Sequence, residues 1–327
     1  MSVARLAARA SVVRRSVIPR SAGVLYAPPH WSRRLNSSTS FQAKDALSDA
    51  TIPPRPKKVL DALSMAGKVC MVTGAARGLG NQFAKAFVDA GCSQLAILDL
   101  VKEDAHKAAQ DMMNYASSDG KSDVTVIGLG CDVASELSVQ AAYANILDKF
   151  GRIDSVVASA GIVENYEAMD YPFDRVKRLF DINVHGAFFT AREGARAMFR
   201  QGGGSIILVS SMSANIVNVP QPQTPYNASK AAVKHMAASL GVEWAKRGLS
   251  FDPVAFASNS PGYMLTKLTK TILDHDQELK KTWESLTPMG RMGDPEDLDG
   301  VVVFLASDAS RFMTGTEIRV DGGYCCL

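Results

Sequence analysis

From Lys68 onward the chain alternates short runs of consecutive apolar residues with longer segments in which apolar residues return every three to four positions. Val69–Val72, Leu95–Leu100, Val124–Leu129, Asp154–Ala158 and Ser205–Ser210 have the length and β-branched content of buried strands. The segment beginning at Leu79 carries Phe83 and Phe87 at i and i+4, one face of a helix. Phe173 to Arg200 predicts one long helix, Val301–Ala306 closes a late one, and Glu317–Val320 makes a last strand. Strands alternating with helices predict an α/β fold, a doubly wound parallel sheet in a single domain with helices on both faces. No internal repeat interrupts the pattern.

The first 42 residues lie outside this alternation. They hold seven arginines and several serines but no Asp or Glu, and Leu6, Ala10, Val13 and Val17 recur at helical spacing. An Arg- and Ser-rich amphipathic segment without acids predicts a mitochondrial transit peptide, cleaved near Leu35 to Phe41, and a matrix location. A merely disordered basic arm, which would leave the protein cytoplasmic, is the alternative. Residues 43–66, with Ile52-Pro53-Pro54-Arg55-Pro56, predict an extended linker, and residues 67–327 the folded domain. Without the seven arginines the formal charge falls from +3 to −4, so a nucleic-acid role loses its electrostatic support. No run of about 18 apolar residues is present, which argues against membrane insertion. The five cysteines show neither metal spacing nor a disulfide framework, and no metal site is expected.

Candidate chemistry begins at Thr73-Gly74-Ala75-Ala76-Arg77-Gly78-Leu79-Gly80, which follows a strand and opens a helix. Glycines at this spacing let the backbone approach a pyrophosphate, whose charge the helix N-terminus favours. Alone, such a triplet equally marks a tight turn. Asp99, ending the next strand 25 residues after Gly74, supplies a carboxylate for the two ribose hydroxyls of adenosine and would repel a 2′-phosphate, which favours NAD over NADP. Further along, Tyr226 and Lys230 stand at i and i+4. A nearby ammonium favours a phenolate and so can bring a phenol toward the working range.

Thr73–Gly80, Tyr226-x-x-x-Lys230 and Pro261-Gly262, in that order, resemble the short-chain dehydrogenase/reductase family over about residues 60–327. The resemblance implies a Rossmann fold, a homo-oligomer (commonly a tetramer) and a shared set of site residues. Thr73, Gly74, Arg77, Gly78, Leu79, Gly80 and Asp99 would hold the cofactor, together with Asp132 and Val133 near the adenine, Ala160 and Gly161, Pro261 and Gly262, and Thr266 for the carboxamide. Ser159 stands where the family usually has asparagine, an expected weakening of one sheet-stabilising hydrogen bond that need not abolish activity. Asn183, Ser211, Tyr226 and Lys230 match the catalytic tetrad. Tyr226 would exchange the substrate proton, Lys230 favour the phenolate and hold the nicotinamide ribose, Ser211 stabilise the substrate oxygen, and Asn183 hold a relay water. Ser213 is a second candidate for the serine; Ser211 is preferred because it ends the strand.

Within that family, the run from Ser211 through Asn218, Gln221 and Gln223 to Tyr226 resembles fungal polyol dehydrogenases, those that interconvert D-arabinitol or a similar polyol and its ketose. The segment from Gly262 to Pro288 is expected to form a lid. An NADPH-dependent 3-oxoacyl-thioester reductase is the rival, as is a cofactor-binding scaffold that has lost catalysis. One departure from the family pattern bears on that last reading. Leu249–Ser260 is about five residues longer than usual, and Asp252-Pro253 interrupts what should be a central strand, expected to resume over Val254–Phe256.

Overall fold

A computed structural model describes residues 58–245 and 255–327. The expected transit peptide, the linker up to residue 57 and Asp252-Pro253 lie outside these residues. Seven strands form one parallel sheet: β1 (Val69–Thr73), β2 (Gln94–Asp99), β3 (Thr125–Gly130), β4 (Ser155–Ala158), β5 (Ser205–Val209), β6 (Ala255–Pro261) and β7 (Thr316–Val320). Their order is β3-β2-β1-β4-β5-β6-β7. The chain leaves β1 toward one edge and, after β3, returns to pair β4 with β1, placing Thr73 beside Ala158. That reversal opens a crevice at the carboxyl ends of β1 and β4, the place where open α/β sheets take ligands.

Helices cover both faces. In chain order they are α1 (Val59–Leu63), α2 (Gly78–Asp89), α3 (Lys102–Ser118), α4 (Glu136–Phe150), α5 (Phe173–Phe180), α6 (Gly186–Gln201), α7 (Thr224–Trp244), α8 (Lys267–His275), α9 (Gln277–Ser285) and α10 (Asp299–Ala306). Because strand side chains alternate, each strand feeds two cores. Cys70 and Val72 pack with α2, α3 and α10 through Phe83, Phe87, Met112 and Val302. Val69 and Met71 pack with α4, α6 and α7 through Ile146, Ala191, Met198 and Val233.

Three expectations change. The linker does not run to residue 66: Met65 is fully buried in the first core, and its N–H donates to the Ala90 carbonyl at 2.9 Å. The single helix over Phe173–Arg200 is broken by one π-helical turn, Asp181–His185, between α5 and α6. The strand after Pro253 is in place and longer, since β6 runs from Ala255 to Pro261 and pairs with both β5 and β7. It is unusually polar for a central strand. Ser258, Asn259 and Ser260 are fully buried, and their side-chain oxygens, with the Asn259 nitrogen, have no hydrogen-bond partner among the described residues.

Candidate active site

The crevice is the mouth of a cleft of about 610 Å³ that runs from the β1–α2 turn, past the ends of β4 and β5, to α9. At one end Gly74 adopts φ +64°, and a Cβ there would stand 2.7 Å from the Ala160 Cα. A Cβ on Gly80 would fall 2.4 Å from the Gly74 carbonyl oxygen. The turn thus needs glycine both for its shape and for its proximity to the following helix. It delivers the N-terminus of the 12-residue α2 into the cleft, with its unpaired N–H groups and positive dipole end. Asp99 is aimed by two backbone donors, Ala76 N–H to Oδ2 at 3.0 Å and Leu100 N–H to Oδ1 at 2.8 Å. These residues fit a dinucleotide: a cradle that a Cβ would fill, an anion-binding helix end and a carboxylate one strand away.

Gly74, Arg77, Leu79, Gly80, Asp99, Asp132, Val133, Ala160, Gly161, Pro261, Gly262 and Thr266 line the cleft. Thr73 and Gly78 do not. Thr73 is buried, and its hydroxyl accepts from the N–H groups of Ser159 (3.1 Å) and Ala160 (3.2 Å), tying β1 to the exit of β4. That tie holds the β4 exit with Ser159 present. Gly78 opens α2 at φ +63° and faces open space. Asp132 accepts from the Ala134 N–H at 3.0 Å, which shapes the turn after β3. Thr266 caps α8, accepting from the Thr269 N–H at 3.3 Å, and its hydroxyl also meets that of Thr269 at 2.8 Å.

At the cleft's centre Ser211, Tyr226 and Lys230 converge. Lys230 is buried, its Nζ donating to the Val209 carbonyl at 2.9 Å, and in return the Ser210 hydroxyl donates to the Lys230 carbonyl at 2.9 Å. Strand β5 and helix α7 are therefore clasped at the lysine. Nζ lies 5.8 Å from the centroid of the Tyr226 ring. Burial brings the ammonium down to about 8. Burial also holds the Tyr226 phenol above its ordinary range, the neighbouring Ser211 hydroxyl pulling it back and Tyr263 adding to the rise. The expected lowering of the phenol is thus not the net result in this cleft: the desolvation of the phenolate outweighs the help it receives.

Ser211 donates to the Ser213 hydroxyl at 3.0 Å and accepts from the Ser213 N–H at 3.1 Å. Both serines line the cleft, with Ser211 the one beside Tyr226. Asn183 does not line it. It sits 1% exposed in the π-helical turn, where Nδ2 donates to the Ile162 carbonyl (2.9 Å) and the Ser229 hydroxyl (3.0 Å) and Oδ1 accepts from the Ile162 N–H (2.8 Å). Its side chain pins the β4 exit to α7 behind Lys230, with both amide hydrogens used. π-helical turns are frequent at functional sites.

The far end is polar and aromatic. Tyr263, directly after Pro261-Gly262, stacks on Trp283 of α9 with centroids 4.0 Å apart and planes 8° apart. Asn218 and Gln221 from the loop after β5 reach the Tyr263 hydroxyl. Sequence reasoning placed Tyr263 and Trp283 in a lid without pairing them; the only signal was an aromatic residue immediately after Pro-Gly.

Comparison with known proteins agrees with this architecture. A family model described as enoyl-(acyl carrier protein) reductase matches residues 74–325. A sorbose reductase of Candida albicans is 38% identical over 276 residues, 84% of this chain and 92% of that protein. A D-arabinitol 2-dehydrogenase (ribulose-forming) of Candida tropicalis is 35% identical, covering 82% and 96%. Among solved structures, an NADPH-dependent 3-quinuclidinone reductase from Rhodotorula rubra superposes with a TM-score of 0.75 at 33% identity, covering 85% of this chain and 99% of that one. With a dinucleotide cradle and a Tyr–Lys pair meeting in one cleft of a seven-stranded parallel sheet, the chain belongs to the short-chain dehydrogenase/reductase family of NAD(P)-dependent oxidoreductases.

Proposed function

We propose that this protein is an NAD-dependent polyol dehydrogenase that interconverts a sugar alcohol, D-arabinitol or a close relative, with its ketose. The observation that carries the reading is the meeting of Ser211, Tyr226 and Lys230 in the same cleft as the glycine cradle and a polar far wall. Relatives named for sorbose, mannitol and D-arabinitol support the substrate class. When bound, the nicotinamide accepts the hydride of a carbinol carbon. This chain's residues handle the rest. Tyr226 as phenolate takes the hydroxyl proton in oxidation, or as phenol returns it in reduction. Ser211 donates a hydrogen bond to the substrate oxygen as its charge develops, an interaction strongest in the transition state. Lys230, with one hydrogen on Val209, has two left for a ribose and for the Tyr226 side. Asn183 positions the β4 exit and α7 behind that lysine.

The preference for NAD rests on Asp99, whose carboxylate faces the place of the ribose hydroxyls and would repel a 2′-phosphate. Exposed Arg77 at the rim would favour such a phosphate, and relatives named for either cofactor exist. Asp99→Ala is expected to raise the NADP/NAD ratio of kcat/KM by at least tenfold; an unchanged ratio rejects the role of Asp99. We further propose a mitochondrial address, from the arginine-rich first 42 residues, and a homotetramer, from the family resemblance. The purified protein, assayed with NAD and NADP over pentitols, hexitols and 3-oxoacyl thioesters, should turn over a pentitol or hexitol fastest with NAD. Faster reduction of an acyl thioester would overturn the polyol reading.

A further inference from the structure

Four side chains from three separate segments form one polar unit in the cleft wall. Asn218 Nδ2 and Gln221 Nε2 each donate to the Tyr263 hydroxyl at 3.1 Å, and Trp283 Nε1 donates to Gln221 Oε1 at 3.3 Å. The Tyr263 ring is fixed by its stack on Trp283 and by Tyr324 packed edge-on at 5.5 Å. All but Tyr324 line the cleft. Two features of the unit are incomplete. Asn218 is 5% exposed, and its Oδ1 is buried without a hydrogen-bond partner among the described residues. The Tyr263 hydroxyl hydrogen reaches Gln221 Oε1 at 3.5 Å, the limit of a hydrogen bond. Turning the Asn218 amide over does not complete it, because one end then bonds Tyr263 and the other is left in the same position.

A buried amide end without a partner is costly, and Asn218 lines the cleft, so a small turn of its amide lets a molecule there supply the partner. A hydroxyl group suits it, because one hydroxyl both donates and accepts. Tyr263 and Tyr226 line the same cleft, so a substrate whose reacting carbon faces Tyr226 has room to extend its other carbons along this wall.

Building on the polyol reading above, we propose that Asn218 and Tyr263, held by Gln221 and Trp283, form a hydroxyl-reading subsite that selects polyhydroxylated substrates over monohydric alcohols. The subsite binds a hydroxyl on a carbon adjoining the reacting one, Asn218 accepting from it and Tyr263 donating to it. A site built to bond a hydroxyl discriminates strongly against an analogue that lacks one, because its own polar groups are then left unpaired.

The test uses the full chain with NAD and measures kcat/KM for a pentitol and for 2-pentanol. Asn218→Leu and Tyr263→Phe should each lower the pentitol/2-pentanol ratio by about 10- to 100-fold. Tyr263→Phe keeps the aromatic stack, so it decides the matter even if Asn218→Leu fails to fold. A wild-type enzyme that turns over the pentitol, with a ratio unmoved in the Tyr263→Phe variant, overturns the subsite and leaves the polyol reading standing. A wild-type enzyme that turns over no polyol overturns both.

Discussion

Lys230→Met separates two things a lysine could do in this cleft. Oxidation needs Tyr226 as the phenolate, so the rate is low below the pKa of the phenol and rises as pH passes through it. Burial already holds that phenol above its ordinary range. The ammonium 5.8 Å from the ring centroid opposes the rise. With an effective dielectric constant of about 20, a unit charge at that distance favours the phenolate by about 3 kcal/mol. At 1.36 kcal/mol per unit, that is a factor of about 100 in phenolate population while the lysine carries its charge. Lys230 itself loses its proton near 8, so the help acts below that pH, where the variant should fall about 100-fold below wild type, a gap that narrows as pH rises past 8. The assay is kcat/KM for polyol oxidation at saturating NAD from pH 6 to 11. A variant that keeps measurable activity and falls short of wild type by the same factor at pH 6 as at pH 10 would refute the electrostatic role and leave Lys230 only its contact with the cofactor.

Three further outcomes are expected. Ser211→Ala should lower kcat by about 10²- to 10³-fold, the cost of one donor to a developing oxyanion, whereas Ser213→Ala should cost less than tenfold; the reverse order would move the role to Ser213. Gly74→Ala places a Cβ 2.7 Å from the Ala160 Cα at φ +64°, and should abolish cofactor binding measured by NADH fluorescence titration; retained affinity would mean that the turn yields. Ser258→Ala removes a buried hydroxyl without a partner among the described residues and should stabilise by about 1 kcal/mol, a rise of about 2–4 °C in Tm. A fall in Tm would show that the hydroxyl has a stabilising partner and refute the reasoning.

The sheet was legible because its strands are buried on both faces and therefore read as uninterrupted apolar runs at Val69–Val72, Leu95–Leu98 and Ile206–Val209. Most of the cleft was legible for a related reason: glycine spacing and an i, i+4 pair are local patterns, and the fold brings them together without further instruction. What escaped depends on contacts between distant residues. The π-helical turn at Asp181–His185 inserts into a helix whose apolar period hardly registers it, and the anchors of Asn183 at Ile162 and Ser229 lie 21 and 46 residues away. The pairing of Tyr263 with Trp283 spans twenty residues and two helices, so no spacing rule announces it. The phenol of Tyr226 ran against expectation because proximity to Lys230 is visible in a sequence, and the burial that raises the phenol is not.

The reciprocal hydrogen bonds between Lys230 and the end of β5 have a consequence for engineering. Since Lys230 is fastened to Val209 and Ser210 on both its side-chain and main-chain ends, the acid–base pair is anchored to the sheet by residues that flank, and do not include, the segment from 214 to 223. That segment and α9, which carry the parts of the polar wall around Tyr263, can be exchanged as a cassette while the proton-handling groups keep their places. New alcohols should be reached by grafting loops onto this frame, with the reaction carried over intact.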